Sequence, residues 1–155
     1  MSYTEIYAIT KKHNLIKIGE IKNSLLGCKW IWNKLLNKYF PNKVASLENY
    51  QLLWHLANSE SNTLNLFEKE VLKSTFDYYI CDNQQALALS HYLDEFNLFY
   101  SKFDQNLKLS LNPNLKEQSE ILLKKSKYNK YIRFVFNQTS INECLWKNVN
   151  LERYI

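Results

Sequence analysis

The stretch that decides the fold is YTEIYAIT at residues 3–10, followed by KKHN at 11–14 and LIKIGEI at 15–21. The two outer segments are rich in Tyr, Ile and Thr, which favour β-strands, and the short polar segment between them suits a turn. This pattern predicts a β-hairpin. Because the following segments mix helical and strand patterns without regular alternation, we expect an α+β fold, with a small antiparallel sheet covered by helices.

Helix start signals divide the rest of the chain. Ser46 and Asn83 have side chains that cap helices well, and Asn112-Pro113 is a favourable helix start. Ser140-x-x-Glu143 matches a capping box and predicts a last short helix. The 155 residues fit a single domain, 1–155, with about four strands and five to six helices. The other predicted elements are helices 24–39, 47–57, 64–73, 84–103 and 112–125 and strands 75–81 and 131–137.

Composition and cysteine usage indicate a compartment. Residues 1–14 lack a basic segment followed by an apolar run, so we expect no secretory signal. No stretch approaches the roughly 18 apolar residues of a membrane span. Cys28, Cys81 and Cys144 are odd in number and widely spaced, which favours reduced thiols. We therefore expect a cytoplasmic protein that does not enter the membrane.

The sequence contains no recognisable catalytic, cofactor-binding or metal-binding motif. Its three histidines are isolated, and two glycines are too few for a phosphate-binding loop. Cys28 or Cys81 with His91 would make a thiol–imidazole pair, but no local pattern supports one. Glu68 and Glu70 are interpreted as solvated helix positions. We expect no cofactor and no metal, and favour a non-enzymatic role, although a catalytic site without a motif stays open.

The predicted helix 24–39 carries apolar residues on two faces. Trp30 projects about 160° from Trp32 when residues are placed at helical intervals, close to Leu26 and Asn33. Trp is among the commonest anchor residues of interfaces, so Trp30, Leu26 and Asn33 are candidate partner-binding residues. The alternative is a second layer of the same domain packing on this face. The predicted core stripe consists of Leu25, Cys28, Trp32, Leu35, Leu36 and Tyr39.

The predicted helix 84–103 repeats this pattern. Leu87 and Leu98 fall on the side opposite its core stripe, among polar residues. They are either isolated surface leucines or further members of a partner-binding patch with Trp30. The predicted core stripe consists of Leu89, Tyr92, Leu93, Phe96, Tyr100 and Phe103.

A basic segment interleaved with tyrosines occupies residues 124–133. Lysine and arginine neutralise phosphates, and tyrosine rings stack on unpaired bases, so the segment is a candidate site for nucleic acid. A solvated basic face and contact with an acidic protein surface are the alternatives. Lys11, Lys12 and Lys17 would extend the basic track. The candidate residues of the segment are Lys124, Lys125, Lys127, Tyr128, Lys130, Tyr131 and Arg133.

Two blocks resemble small accessory proteins of phages and mobile elements. They are Gly19–Ser24 with Gly27 and the helix from Trp30 and Trp32 to Tyr39, and Phe136–Ser140 with Glu143 and Trp146. The resemblance implies a non-enzymatic protein that binds and blocks a host protein or ribonucleoprotein complex, as anti-defence inhibitors such as anti-CRISPRs do. A nucleic-acid-binding module using the basic segment is the alternative, and self-association stays open.

Overall fold

The computed structural model describes residues 2–24, 26–108, 110–138 and 143–155. A four-stranded antiparallel sheet and five α-helices confirm the predicted α+β class. The strands are β1 (Tyr3–Thr10), β2 (Leu15–Lys22), β3 (Ile80–Cys81) and β4 (Tyr131–Asn137), and the helices are α1 (Cys28–Tyr39), α2 (Leu47–Asn58), α3 (Leu66–Lys73), α4 (Asn83–Ser101) and α5 (Pro113–Lys125).

The strand order in the sheet is β2-β1-β4-β3. The predicted hairpin is present, with His13 of its turn in the left-handed region at a φ of 64°. Between Ile6, which pairs with Gly19, and Tyr7, which pairs with Lys17, the register shifts and leaves a β-bulge. β4 pairs antiparallel with β1, so β1 and β4 are the two central strands of the sheet.

Both faces of the sheet are covered. Alternation along β1 sends Ile6 and Ala8 into the main core beneath the helices, where α4 and α5 pack against β4 and β2. Tyr7 and Ile9 point the other way, into a second core built around Trp146. The segment after residue 143, with two short 3₁₀ turns at Leu145–Asn148 and Leu151–Tyr154, therefore covers the second face.

Side-chain caps set most of the helix starts. Ser46 and Asn112 cap α2 and α5, as predicted. Asp82 rather than Asn83 caps α4, because its carboxylate accepts from the backbone amide of Gln85 and completes a capping box. The predicted starts of two other helices are too early, because α1 begins after Gly27 and α3 after its cap Asn65.

The predicted strand 75–81 is mostly wrong. Only Ile80 and Cys81 pair with β4. The Thr75 hydroxyl donates to the carbonyl of Leu72, and Tyr78 has a φ of 62°, so this segment turns back after α3 instead of extending. The predicted capping box at Ser140 lies outside the described residues.

The two glycines of the chain allow close approaches that a side chain would prevent. A Cβ on Gly19 would lie 2.8 Å from the side chain of Ile121, so glycine here lets α5 lie close to β2. A Cβ on Gly27 would lie 2.7 Å from the Cα of Asn23, where the chain turns into α1. Both positions belong to the N-terminal block that carries the resemblance.

Candidate functional site

Trp30 is buried, so the second of the two interpretations of this helix face, a further layer of the same domain, is the one the structure has. Only 6% of it is exposed, its indole Nε1 donates to Asp104 Oδ2 at 2.7 Å, and its ring meets the edge of Phe96. The segment after α4 covers this side of α1, which is the second layer weighed as the alternative. Leu26 packs against the same core, and Asn33 accepts a hydrogen bond from the Tyr50 hydroxyl at 2.5 Å. Trp30, Leu26 and Asn33 therefore form no exposed patch.

Trp32, predicted to be core, is partly buried against the main core and also lines an open groove. Its ring packs on Trp54, which packs on Phe76, with centroid distances of 5.9 and 6.0 Å. Two adjoining hollows of about 440 and 350 Å³ share Trp32 and Gln138 as lining residues. The groove is apolar and lies between α1, α2 and the turn after α3.

A compact polar cluster lies under this groove. The Thr4 hydroxyl donates to Asn23 Oδ1 at 2.8 Å, and the Cys28 thiol donates to Gln138 Oε1 at 3.0 Å. Burial raises the pKa of the Cys28 thiol to about 12, although the hydrogen bond with Thr4 opposes the rise. The thiol is therefore neutral near pH 7 and acts as a hydrogen-bond donor, since the thiolate is the nucleophilic form.

The hypothetical thiol–imidazole pair is not formed. The contacts of Cys28 are those of the polar cluster, while His91 is exposed on α4. Cys81 is buried as well, and burial raises the pKa of its thiol to about 12.

We expect Cys28 of the folded protein to resist alkylation. At about pH 8, its reaction with iodoacetamide should be at least a hundredfold slower than that of a free cysteine, because almost none of it is thiolate. Mass spectrometry of the digested protein measures the modification at Cys28. The same protein in denaturant is the control, and alkylation of the folded protein at the free-cysteine rate would show that the thiol is activated.

Glu68 is buried, not solvated as the sequence suggested. Its carboxylate accepts from Lys38 Nζ at 2.6 Å, from the Tyr100 hydroxyl at 2.5 Å and from the Tyr39 hydroxyl. Burial by itself would raise the pKa of Glu68, but these hydrogen bonds outweigh it and lower the pKa. This carboxylate joins α1, α3 and α4 and has a structural role. Glu70, by contrast, makes only a partly exposed ion pair with Lys73.

An apolar surface lies at the carboxyl end of α4. Leu98, Phe99 and Phe103, here called the α4 surface, are 54%, 43% and 79% exposed. The predicted burial of Phe103 is wrong because α4 ends at Ser101 and the chain turns before the stripe is complete. Leu98 is exposed as expected, whereas Leu87 is half-buried.

Charged side chains lie close to the α4 surface. Lys38 Nζ lies 5.3 Å from the centroid of the Phe99 ring. Lys102 and Lys108 line a hollow of about 430 Å³ beside Phe103. The nearby carboxylate of Asp104 is already paired with Lys34, at 2.8 Å. The α4 surface is therefore bordered by lysines near Phe103 and by the exposed acids Asp94 and Glu95 one helical turn before Leu98 and Phe99.

The structure brings the basic segment together with the hairpin turn. Thr10 pairs with Tyr131, and the backbone amide of Lys11 donates to the carbonyl of Lys130 at 3.2 Å. Lys11 and Lys12 therefore lie beside the turn that precedes β4. Lys17 does not join them, because its ammonium pairs with Glu5 and Glu20 on the sheet. We call this surface the basic end, and it comprises Lys11, Lys12, Lys124, Lys125, Lys127, Lys130 and Arg133.

The rings of the two tyrosines in the basic segment are not exposed for stacking on bases. Tyr131 is 5% exposed and belongs to the main core. Tyr128 is half-buried, and its ring has Lys125 Nζ at 5.2 Å and Lys130 Nζ at 5.7 Å from the centroid. The ring therefore contacts two ammonium groups of its own chain.

Comparisons with known proteins assign no family. No protein-family model matches the chain, and neither the curated proteins nor the solved structures give a significant match. The resemblance to phage accessory proteins therefore stays a prediction. Within the described ranges, no cluster of three metal-ligating side chains occurs, and no helix is long and apolar enough to cross a membrane.

Proposed function

We propose that the protein acts by binding, and that it docks on a host protein complex through the α4 surface and blocks it. The observation that carries the proposal is the 79% exposure of Phe103, which follows within five residues of the exposed Leu98 and Phe99. Neighbouring apolar side chains on a surface mark sites of protein interaction more often than isolated ones do. An exposed phenylalanine can bury a large apolar area in a partner's pocket.

Two residues of the α4 surface, Leu98 and Phe99, stand on a helix that is packed into the core. The opposite side of α4 is fixed in the core by Leu93, Phe96 and Tyr100, and Phe99 packs on Phe67 with ring centroids 6.1 Å apart. A preorganised anchor loses little conformational entropy on binding, which favours affinity. Lys102 and Lys108 beside Phe103 favour a partner with acidic groups next to the pocket that takes this ring.

The resemblance to phage and mobile-element accessory proteins supports the same role. A protein of this kind would act in the cytoplasm and inhibit a host defence complex by occlusion, as an anti-CRISPR does. Occlusion needs a complementary surface and no reacting group. Two groups with catalytic chemistry have other partners: the Glu68 carboxylate is buried against Lys38, and the Cys28 thiol donates to Gln138.

Replacing Phe103 with aspartate is expected to abolish partner binding without unfolding the protein. Because the side chain is largely exposed, the free energy of unfolding should change by less than about 0.5 kcal/mol. Removing a central aromatic anchor should weaken the complex by at least about 2 kcal/mol, or thirtyfold in Kd. The measurement is affinity purification of the tagged protein from host cells, followed by a titration of the purified complex.

Leu47→Asp is the matched control, since Leu47 is 67% exposed on a different helix. We expect it to retain the partner. Recovery of the same stoichiometric complex with Phe103→Asp would contradict the proposal. Light scattering that shows a wild-type dimer and a monomeric Phe103→Asp variant would also contradict it, because the α4 surface would then serve self-association.

A further inference from the structure

We propose that the basic end is a second binding site, which takes the phosphate backbone of duplex nucleic acid. The site is created by tertiary structure, because the hydrogen bond from Lys11 to Lys130 places two turns from distant parts of the chain side by side. The hairpin turn adds Lys11 and Lys12 to the five cations of the segment 124–133. Seven positive charges thus share one end of the molecule.

These charges are available to a ligand. The ion pairs among the described residues involve none of the seven cations. Two carboxylates border them: exposed Glu120 precedes Lys124 by one turn of α5, and Asp82 is next to Asn83, whose Nδ2 donates to the carbonyl of Ser126. The Asp82 carboxylate already accepts from the backbone amide of Gln85. The surface therefore presents seven cations bordered by Glu120 and Asp82, so its net charge is strongly positive and a polyanion complements it.

The environment of the two tyrosine rings favours duplex over single-stranded nucleic acid. Sequence-independent binding of single strands relies on bases stacking on open aromatic rings. Here Tyr131 is buried, and Tyr128 contacts the ammonium groups of Lys125 and Lys130. With stacking unavailable, affinity comes from phosphates alone. A duplex presents them more densely, about one charge per 1.7 Å of axis, and is therefore the preferred ligand.

The basic end and the α4 surface lie at opposite ends of one helix. Ser126 of the basic end contacts Asn83 at the start of α4, and Phe103 follows its last turn. A helix of 19 residues spans about 28 Å, so a duplex and a protein partner can be bound at the same time. A chain with both sites would suit a target that itself contains nucleic acid.

The test is fluorescence anisotropy with a labelled short DNA duplex of mixed sequence, titrated between about 50 and 200 mM salt. Wild-type affinity should fall steeply with salt and be higher for the duplex than for its separated strand. The variant Lys12→Ala/Lys127→Ala/Lys130→Ala should bind at least about tenfold more weakly at low salt, with a salt slope lower by about 3. The matched control is Lys22→Ala/Lys43→Ala/Lys116→Ala, which removes the same charge from exposed positions elsewhere.

Four results would overturn the proposal. The first is the absence of binding at the lowest salt. The second is an equal loss in the control variant, which would mean that net charge alone drives binding. The third is binding of polyglutamate as tight as that of the duplex, which would assign the basic end to an acidic protein. The fourth is tighter binding of the single strand. None of these results involves Phe103. They would therefore not contradict the proposed protein docking, which the Phe103→Asp variant tests separately.

Discussion

Replacing Glu68 with alanine is expected to lower the free energy of unfolding by about 3–5 kcal/mol, because it removes one partner of a buried charged network. The Tyr100 hydroxyl would stay buried without its acceptor, and α3 would lose the side chain that bonds the amide of Asn65. Lys38 is partly exposed and would recover water. Glu68→Gln keeps the size of the side chain but removes its charge. It should therefore lower the free energy of unfolding by less, about 1.5–3 kcal/mol.

Urea denaturation measures both variants. Glu70→Ala is the matched control on the same helix, since its ion pair with Lys73 is partly exposed and spans 3.6 Å. We expect the control to change stability by less than about 0.5–1 kcal/mol. A Glu68→Ala protein as stable as the control would show that the network contributes little to folding.

The same carboxylate should make stability depend on acid pH. The folded-state pKa of Glu68 lies below its ordinary value of 4.5, because hydrogen bonds from Lys38, Tyr100 and Tyr39 outweigh the effect of burial. Its contribution is therefore complete above the unfolded pKa and is lost as pH falls through the folded pKa. The stability of Glu68→Gln should fall less steeply than that of wild type below about pH 4.5. Parallel curves would mean that Glu68 is not ionised in the fold.

Replacing Trp30 with alanine is expected to cost about 3–5 kcal/mol of stability, as for other buried aromatic side chains. The substitution leaves a cavity against Phe96 and removes a donor from the Asp104 carboxylate. Trp30→Phe should cost less, because the ring remains while the hydrogen bond is lost. Thermal and urea unfolding measure the effect.

Phe103→Ala is the control for this prediction, since it also removes a large aromatic side chain but from an exposed position. Its stability should stay within about 0.5 kcal/mol of wild type. If Trp30→Ala were instead as stable as wild type and defective only in partner binding, Trp30 would be an interface anchor after all. Comparing the stabilities of Trp30→Ala and Phe103→Ala therefore distinguishes a buried aromatic side chain from an exposed one.

Local signals determined much of the fold. The hairpin from Tyr3 to Lys22, the caps Ser46 and Asn112 and the strand Tyr131–Asn137 are all readable from the sequence, because each depends on residues a few positions apart. The basic segment is equally visible. Of the three lysines predicted to extend it, Lys11 and Lys12 lie beside it because β1 pairs with β4 in the register that brings Thr10 to Tyr131, whereas Lys17 pairs with Glu5 and Glu20.

Tertiary structure alone decided which apolar residues reach the surface. Helical periodicity shows which side chains share a face, but it does not show how many faces other segments cover. Trp30 is buried because Asp104, more than seventy positions away, supplies its acceptor, and Phe103 is exposed because α4 ends before it. Long-range packing thus moves the candidate anchor from Trp30 on α1 to Phe103 at the end of α4.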